Sequence, residues 1–383
     1  NKALLNYYFL TFHGKWCLKL KFHIDNTFMK KFKFLNKNEM KKEPIKLKDF
    51  ESQRNKMYCQ GCGSKVSKDT LVNFLNKEDV NYELSDASTI KTTSSSLIQS
   101  IDHIKLFSSL NPFDFGVISY LHSQNDILSC GAKVESLSVS LALPFSEEAA
   151  EKFYMEYFMK GIQSEATKDK SIIASGHSFQ SSEPGITITM NGAVEKKLSK
   201  NQAQINDLIY LSKPLGTGYL LAAYFKNTHL LTSNHFEILI DYLKAGNKKI
   251  AQIAKKYHCN MMTDISGFGL ASHLGDICKS SNLTAEVSLE SDILINSNIN
   301  ILKKYQSTGF KNNYLATSKN IYGLEDNPFK NILFDPQTNG PLLIGINPKF
   351  KDEFEKHFKK LNLKEPLLIG KFIDRQEVEI HIK

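Results

Sequence analysis

Cys59-Gln60-Gly61-Cys62-Gly63-Ser64-Lys65 puts two thiols and an ammonium on one short loop. Gly61 and Gly63 leave that loop conformationally permissive. A lysine three residues from Cys62 favours the thiolate, so the stretch reads as a mobile nucleophile-and-cation loop. It could also be half a zinc site, but such a site needs four ligands and the chain has no second Cys-x-x-Cys. A thioredoxin-like redox pair would need a βαβ setting, which is missing here. Four isolated aspartates form a second set. They are Asp86, Asp102 after the apolar run at 97–101, Asp126, and Asp264 in Met-Met-Thr-Asp-Ile-Ser-Gly-Phe-Gly. Carboxylates converging from different strand ends would suit Mg2+ on nucleotide phosphates. Taken singly, each is an ordinary cap or turn residue. A third set is glycine-containing turns: Ser175-Gly176-His177-Ser178, Lys213-Pro214-Leu215-Gly216-Thr217-Gly218, Gly267-Phe268-Gly269 and Asp335-Pro336-Gln337-Thr338-Asn339-Gly340. Their N–H groups could cradle phosphate, but none is a Walker A or dinucleotide fingerprint.

The elements that must position these residues read as α/β from residue 58 onward. Strands are expected at 97–101, at 135–143 with Val134, Leu137, Val139, Leu141 and Leu143 on one face, and at 186–190. Later strands are expected at 208–211, 342–346 and 367–373. Helices are expected over 146–162, with Ala149, Phe153, Tyr157 and Met159 apolar, over 238–254, and after Gly267. The polar stretch 196–206 separates two α/β halves. The expected organisation is therefore a tail at 1–35, a linker at 36–57, a first domain at 58–199 and a second at 200–383.

Composition bounds the rest. The chain has 383 residues, 41% hydrophobic and 11% aromatic, enough for two or three packed domains and too apolar for a disordered protein. No apolar run approaches the roughly 18 residues that span a bilayer. Residues 1–68 hold 16 Lys+Arg against 5 Asp+Glu, while the whole chain totals only +9, so the basic character belongs to the N-terminal segment. The main body is not expected to bind nucleic acid. In the tail, Leu18, Leu20, Phe22 and Ile24 alternate as in a strand, and Ile24, Phe28 and Phe32 have helical spacing. Such a basic amphipathic piece could rest on a membrane surface or a partner, or be a solvated tail or a remnant that packs on the body. Six scattered cysteines do not form a secreted disulfide framework, which implies a reducing, cytoplasmic setting. The first residue is Asn, as expected of a processed product or a fragment of a longer reading frame.

Taken together and in order, these pieces resemble the selenophosphate synthetase (selenide, water dikinase) family. Gly61-Cys62-Gly63-Ser64-Lys65 resembles its Gly-Cys-Gly-x-Lys loop. Asn111-Pro112-Phe113-Asp114-Phe115-Gly116, with Asp126 and Gly131, resembles its Asp-Pro-Phe-x-Phe-Gly … Ser-Asp-x-x-Ala-x-Gly stretch. Ser175-Gly176-His177-Ser178 with Glu183-Pro184, Lys213–Gly218, Thr263–Leu270 with His273-Leu274, and Asp335-Pro336-Gln337-Thr338 match four further motifs. Residues 8–35 resemble the C-terminal end of a flavin-dependent NADH dehydrogenase-type oxidoreductase, without a dinucleotide fingerprint, so no FAD binding is expected.

The resemblance implies a two-domain fold like that of aminoimidazole ribonucleotide synthetase. Its N-terminal domain would form a dimeric barrel and its C-terminal domain an α/β sandwich. It implies that ATP, selenide and water give selenophosphate, phosphate and AMP, with Mg2+ as cofactor, K+ as a further candidate cation, and a homodimer as the assembly. Cys62 and Lys65 become the catalytic pair. Asp86, Asp102, Asp126 and Asp264 become the metal ligands. Lys65, Asp86, Asp102, Gly176, His177 and Ser178 become the ATP-binding set. Another ATP-dependent member of the superfamily, or a catalytically impaired homologue acting as a binding subunit, are the alternatives. The chain departs from the family pattern at Ser85 (glycine), His122 (asparagine), Gln180 (an acidic residue) and Asn339-Gly340-Pro341 (Ser-Gly-Gly).

Overall fold

The computed structural model describes residues 3–7, 10–14, 19, 23 and 85–383, apart from 92–95, 108–109, 227–230 and 296–298. The chain divides into two units, Asn1–Lys56 and Met57–Lys383. In the first, β1 (Ala3–Tyr7) and β2 (Leu10–Gly14) form an antiparallel hairpin with Tyr7 opposite Leu10. Lys19 and His23 have helical backbone, not the strand suggested by the alternation over 18–24.

Among the described residues, the second unit contains first a mixed five-stranded sheet in the order β3-β4-β7-β5-β6. Its strands are β3 (Ser88–Lys91), β4 (Ser96–Lys105), β5 (Lys133–Pro144), β6 (Ile172–Ser181) and β7 (Gly185–Ala193). The apolar face expected on β5 is buried. A bulge between Val134 and Ser136 explains why Val134 and Leu137 share that face although they are three residues apart. Helix α1 (Pro112–Ser129) follows β4. Proline occupies its first turn, and the Asn111 side chain accepts the Phe113 N–H at 2.8 Å. Helix α2 (Glu148–Asp169) makes the crossover from β5 to the parallel β6. Its buried stripe is Phe158, Gly161, Ile162, Glu165, Ala166 and Asp169, whereas Phe153, one of the apolar positions of the expected helix, is 46% exposed. Helices α1 and α2 cross at two glycines. A Cβ on Gly116 would sit 2.3 Å from Phe158 O, and one on Gly161 would sit 2.1 Å from Phe113 O.

A seven-stranded sheet follows in the order β11-β14-β10-β13-β8-β12-β9. It comprises β8 (Leu208–Leu211), β9 (Met261–Asp264), β10 (Leu283–Val287), β11 (Ile321–Tyr322), β12 (Leu342–Ile346), β13 (Leu367–Asp374) and β14 (Ile380–Ile382). Every residue of β12 is buried, the signature of a strand covered on both faces. Around this sheet run α3 (Thr217–Phe225), α4 (Ser233–Leu243), α5 (Lys248–Lys256), α6 (Gly269–Ser281), α7 (Ile299–Lys304), α8 (Phe310–Thr317) and α9 (Lys351–Lys360). The single helix expected over 238–254 is two helices, broken where Leu121 of α1 packs against Gly246. Among the described residues, no helix is long and apolar enough to cross a membrane.

Candidate active site

Strand β4 is where the first part of the site is built. Ile98, Ser100, Asp102 and Ile104 are all buried, while Ile101 between them is 67% exposed. Period-two alternation thus aims Ser100 and Asp102 at the core-facing side. Helix α1 lies on that side and offers His122 and Asp126, four residues apart and hence on one helical face. The two spacings match. Ser100 Oγ donates to Asp126 Oδ2 in a short hydrogen bond, and His122 Nε2 lies 3.9 Å from Asp102 Oδ1. Asp102 is therefore within a strand, not after one, and Asp126 sits near the end of a helix instead of a turn.

Asp86, just ahead of β3, and Asp264, the last residue of β9, are 178 positions apart in the sequence. With His273 of α6 they present one ligand atom each, all within 4.8 Å of one another. Asp264 is 2% exposed. Lys200, in the stretch read as a polar separator, is buried and its Nζ lies 2.6 Å from Asp86 Oδ1. Burial alone would push the Lys200 ammonium down, but Asp86, with Asp276 and Asp264 behind it, outweighs burial and raises its pKa. Two buried carboxylates are hard oxygen donors of the kind Mg2+ prefers, whereas the His273 imidazole is a poorer ligand for that ion. The Ser266 N–H points at His273 Nε2 at 3.4 Å.

The 335–341 segment runs alongside. Gln337 N donates to Ser266 O at 3.0 Å and Ile265 N to Pro341 O at 2.8 Å. Gly340 allows this approach, since a Cβ there would meet Ile265 O at 2.0 Å. The 213–218 turn leads into α3, but its N–H groups are already used. Gly216 N and Thr217 N converge on Gln337 Oε1 at 2.9 and 3.2 Å, and Gly218 N donates to Asp335 Oδ2 at 3.0 Å. These three N–H groups are thus held by protein acceptors instead of standing open to phosphate. Burial pushes the Asp335 carboxyl up to about 7, against the pull of the Tyr219 N–H, the Gln337 amide and the Gly218 N–H.

Gly176, His177 and Ser178 are not in a turn. They lie within β6, at the sheet edge, opposite Val139, Ser140 and Leu141 of β5, and all three are exposed. The His177 ring stacks on Phe179. Gln180 Nε2 donates to Glu151 Oε1 at 3.2 Å, and Ser85 Oγ is 3.9 Å from the buried Cys130 Sγ. Cys62 and Lys65 lie outside the described residues. Sequence reasoning missed Lys200 altogether, since a lysine in a polar stretch carries no signal of burial. It quoted His273 within a motif without giving it a role.

This architecture and carboxylate cluster define a two-domain protein of the aminoimidazole ribonucleotide (AIR) synthase class. Residues 84–194 match the family described as AIR synthase related protein, N-terminal domain, and residues 204–383 match its C-terminal domain. The thiamine monophosphate kinase of Aquifex aeolicus has a similar structure (TM-score 0.62, 18% identity, covering 82% of this chain and 96% of that one). So does the hydrogenase maturation protein HypE in complex with ATP (TM-score 0.54, 17% identity, 81% and 88% covered). At those identities the likeness concerns the fold. In sequence, the selenide, water dikinase of Haemophilus ducreyi is 30% identical over 274 residues, covering 69% of this chain and 76% of that protein. The Campylobacter jejuni enzyme of the same name is 28% identical over 326 residues, covering 82% and 92%. The chain belongs to the selenide, water dikinase family.

Proposed function

We propose that the protein makes selenophosphate from ATP, selenide and water, releasing phosphate and AMP, in the cytoplasm and as a homodimer. The meeting of Asp86 and Asp264 within 4.8 Å, from residues 178 positions apart, is the observation that carries this reading. Phosphoryl transfer asks a protein chiefly for charge placement and in-line positioning. Bound Mg2+ would neutralise phosphate charge. Asp86 and Asp264 would hold it, with Asp102 and Asp126 completing the acidic set from β4 and α1. Lys200 balances part of the Asp86 charge and fixes that side chain. Ser100 orients Asp126. Cys62 would take the selenide, with Lys65 as its neighbouring cation on the same loop, and Gly176, His177 and Ser178 would contribute to the nucleotide from the sheet edge. The exposed apolar residues of this sheet also support the dimer: Ile172 and Phe179 on β6 and Ile101 on β4 are 68%, 50% and 67% exposed.

The test is AMP formation from ATP by the purified protein, with and without selenide and Mg2+. Selenide- and Mg2+-dependent AMP is expected, and Asp264→Asn should lower it by about a hundredfold or more. Undiminished turnover in Asp264→Asn would remove the metal-site assignment, and undiminished turnover in Cys62→Ser would remove the nucleophile.

A further inference from the structure

Two positions at which the chain departs from the family pattern, His122 and Asn339, touch each other. The Asn339 backbone N–H donates to His122 Nδ1 at 3.1 Å. A backbone N–H can only donate, so Nδ1 holds a lone pair and the neutral ring carries its proton on Nε2. Nε2 is the atom 3.9 Å from Asp102 Oδ1. His122 is 1% and Asp102 8% exposed, so the ring dipole acts on the carboxylate with little water to screen it.

The far side of the ring rests on a rigid support. The Asn339 amide donates to Leu243 O at 2.6 Å and accepts from Asn125 Nδ2 at 3.0 Å. Asn247 Nδ2 donates to Asn125 Oδ1 at 3.0 Å and to Gly340 O at 2.9 Å, and Ser212 Oγ donates to Asn247 Oδ1 at 2.7 Å. Asn125, Asn247 and Asn339 are each at most 1% exposed. This buried amide chain joins α1 to the 335–341 segment and to the start of α5, and the imidazole stands between that chain and Asp102.

We propose that His122 is a positioning residue. Held by Asn339 as the Nε2–H tautomer, it sets the orientation in which the Asp102 carboxylate serves the phosphate site. This rests on the dikinase reading of Asp102. The test uses the full chain with His122→Phe, which keeps a ring without nitrogens, and His122→Gln, whose amide can accept from Asn339 and donate toward Asp102. Calorimetry measures binding of a non-hydrolysable ATP analogue with and without Mg2+, alongside the melting temperature and the kcat and KM for ATP.

His122→Phe is expected to melt within a few degrees of the wild type, yet to bind the Mg2+ analogue at least about tenfold more weakly, with KM rising more than kcat falls. His122→Gln should stay within about threefold of wild type. Equal Mg2+-dependent binding by the Phe variant and the wild type would overturn the inference. Should the Phe variant not fold, the ring nitrogens of wild-type His122, read from 15N shifts and assigned against His122→Gln, decide instead. A proton on Nδ1 overturns the inference and one on Nε2 supports it. A wild-type protein that binds no analogue at all would instead strike the dikinase reading on which the inference stands.

Discussion

His122 and His177 sit on one domain and live in opposite environments. His122 is on the seam between β4 and α1, where strand spacing of two meets helix spacing of four, so that Ser100 meets Asp126 and Asp102 faces His122 across the gap. His177 is on β6, an edge strand on which nearly every residue is exposed. The seam can hold charges in fixed positions because water is excluded and partners are built in. Among the described residues, the edge presents an unpaired row of backbone groups, which suits joining to something else, either a second subunit or a ligand that brings its own order. One histidine can therefore tune a site in place, while the other needs an added partner to acquire a fixed position.

The comparison breaks first if the seam tolerates crowding. Gly161→Ala puts a methyl 2.1 Å from Phe113 O and 2.9 Å from Val117 N, both backbone atoms. It should cost about 2–3 kcal/mol in urea unfolding, because α1 must shift. A cost under about 0.5 kcal/mol would show that the α1–α2 crossing does not fix the seam.

A second measurement sharpens the contrast through pH. Asp335, buried beside the seam's support, has a folded pKa of about 7 against an ordinary value of 3.8. A raised folded pKa means its stabilising effect is complete below about pH 4 and is lost as pH rises toward 7. Asp335→Asn cannot ionise. Its unfolding free energy should gain on the wild type by on the order of 4 kcal/mol between about pH 4 and pH 8. Parallel profiles for the two proteins would contradict the raised pKa.

The smallest effect belongs to the edge. His177→Ala should move the unfolding free energy by less than about 0.5 kcal/mol, since its side chain is exposed. A larger loss in the isolated chain would mean that β6 is already tied down.

Periodicity made much of this fold legible. The alternation of Ile186, Ile188 and Met190 is a buried strand face, and Leu342–Ile346 is a strand with both sides covered. The 175–178 stretch was misread as a turn because Ser, Gly and His have weak strand preference in isolation. Pairing with β5 along its length overrides that preference. The helix over 238–254 was misread as continuous because periodicity alone carries no trace of Leu121 pressing on Gly246. Lys200 gave no sign of burial, since a polar segment looks the same whether it faces water or an aspartate.

The order and chemistry of the motifs, the apolar faces of β5, β7 and β12, and the candidate aspartates were set by the chain alone, because they depend on residue type and short spacing. Which carboxylates meet, which lysine answers them, and which histidine is locked against Asp102 were decided only in three dimensions. Those contacts join residues tens to hundreds of positions apart, and their strength comes from the shared burial that packing the two sheets and α1 together creates.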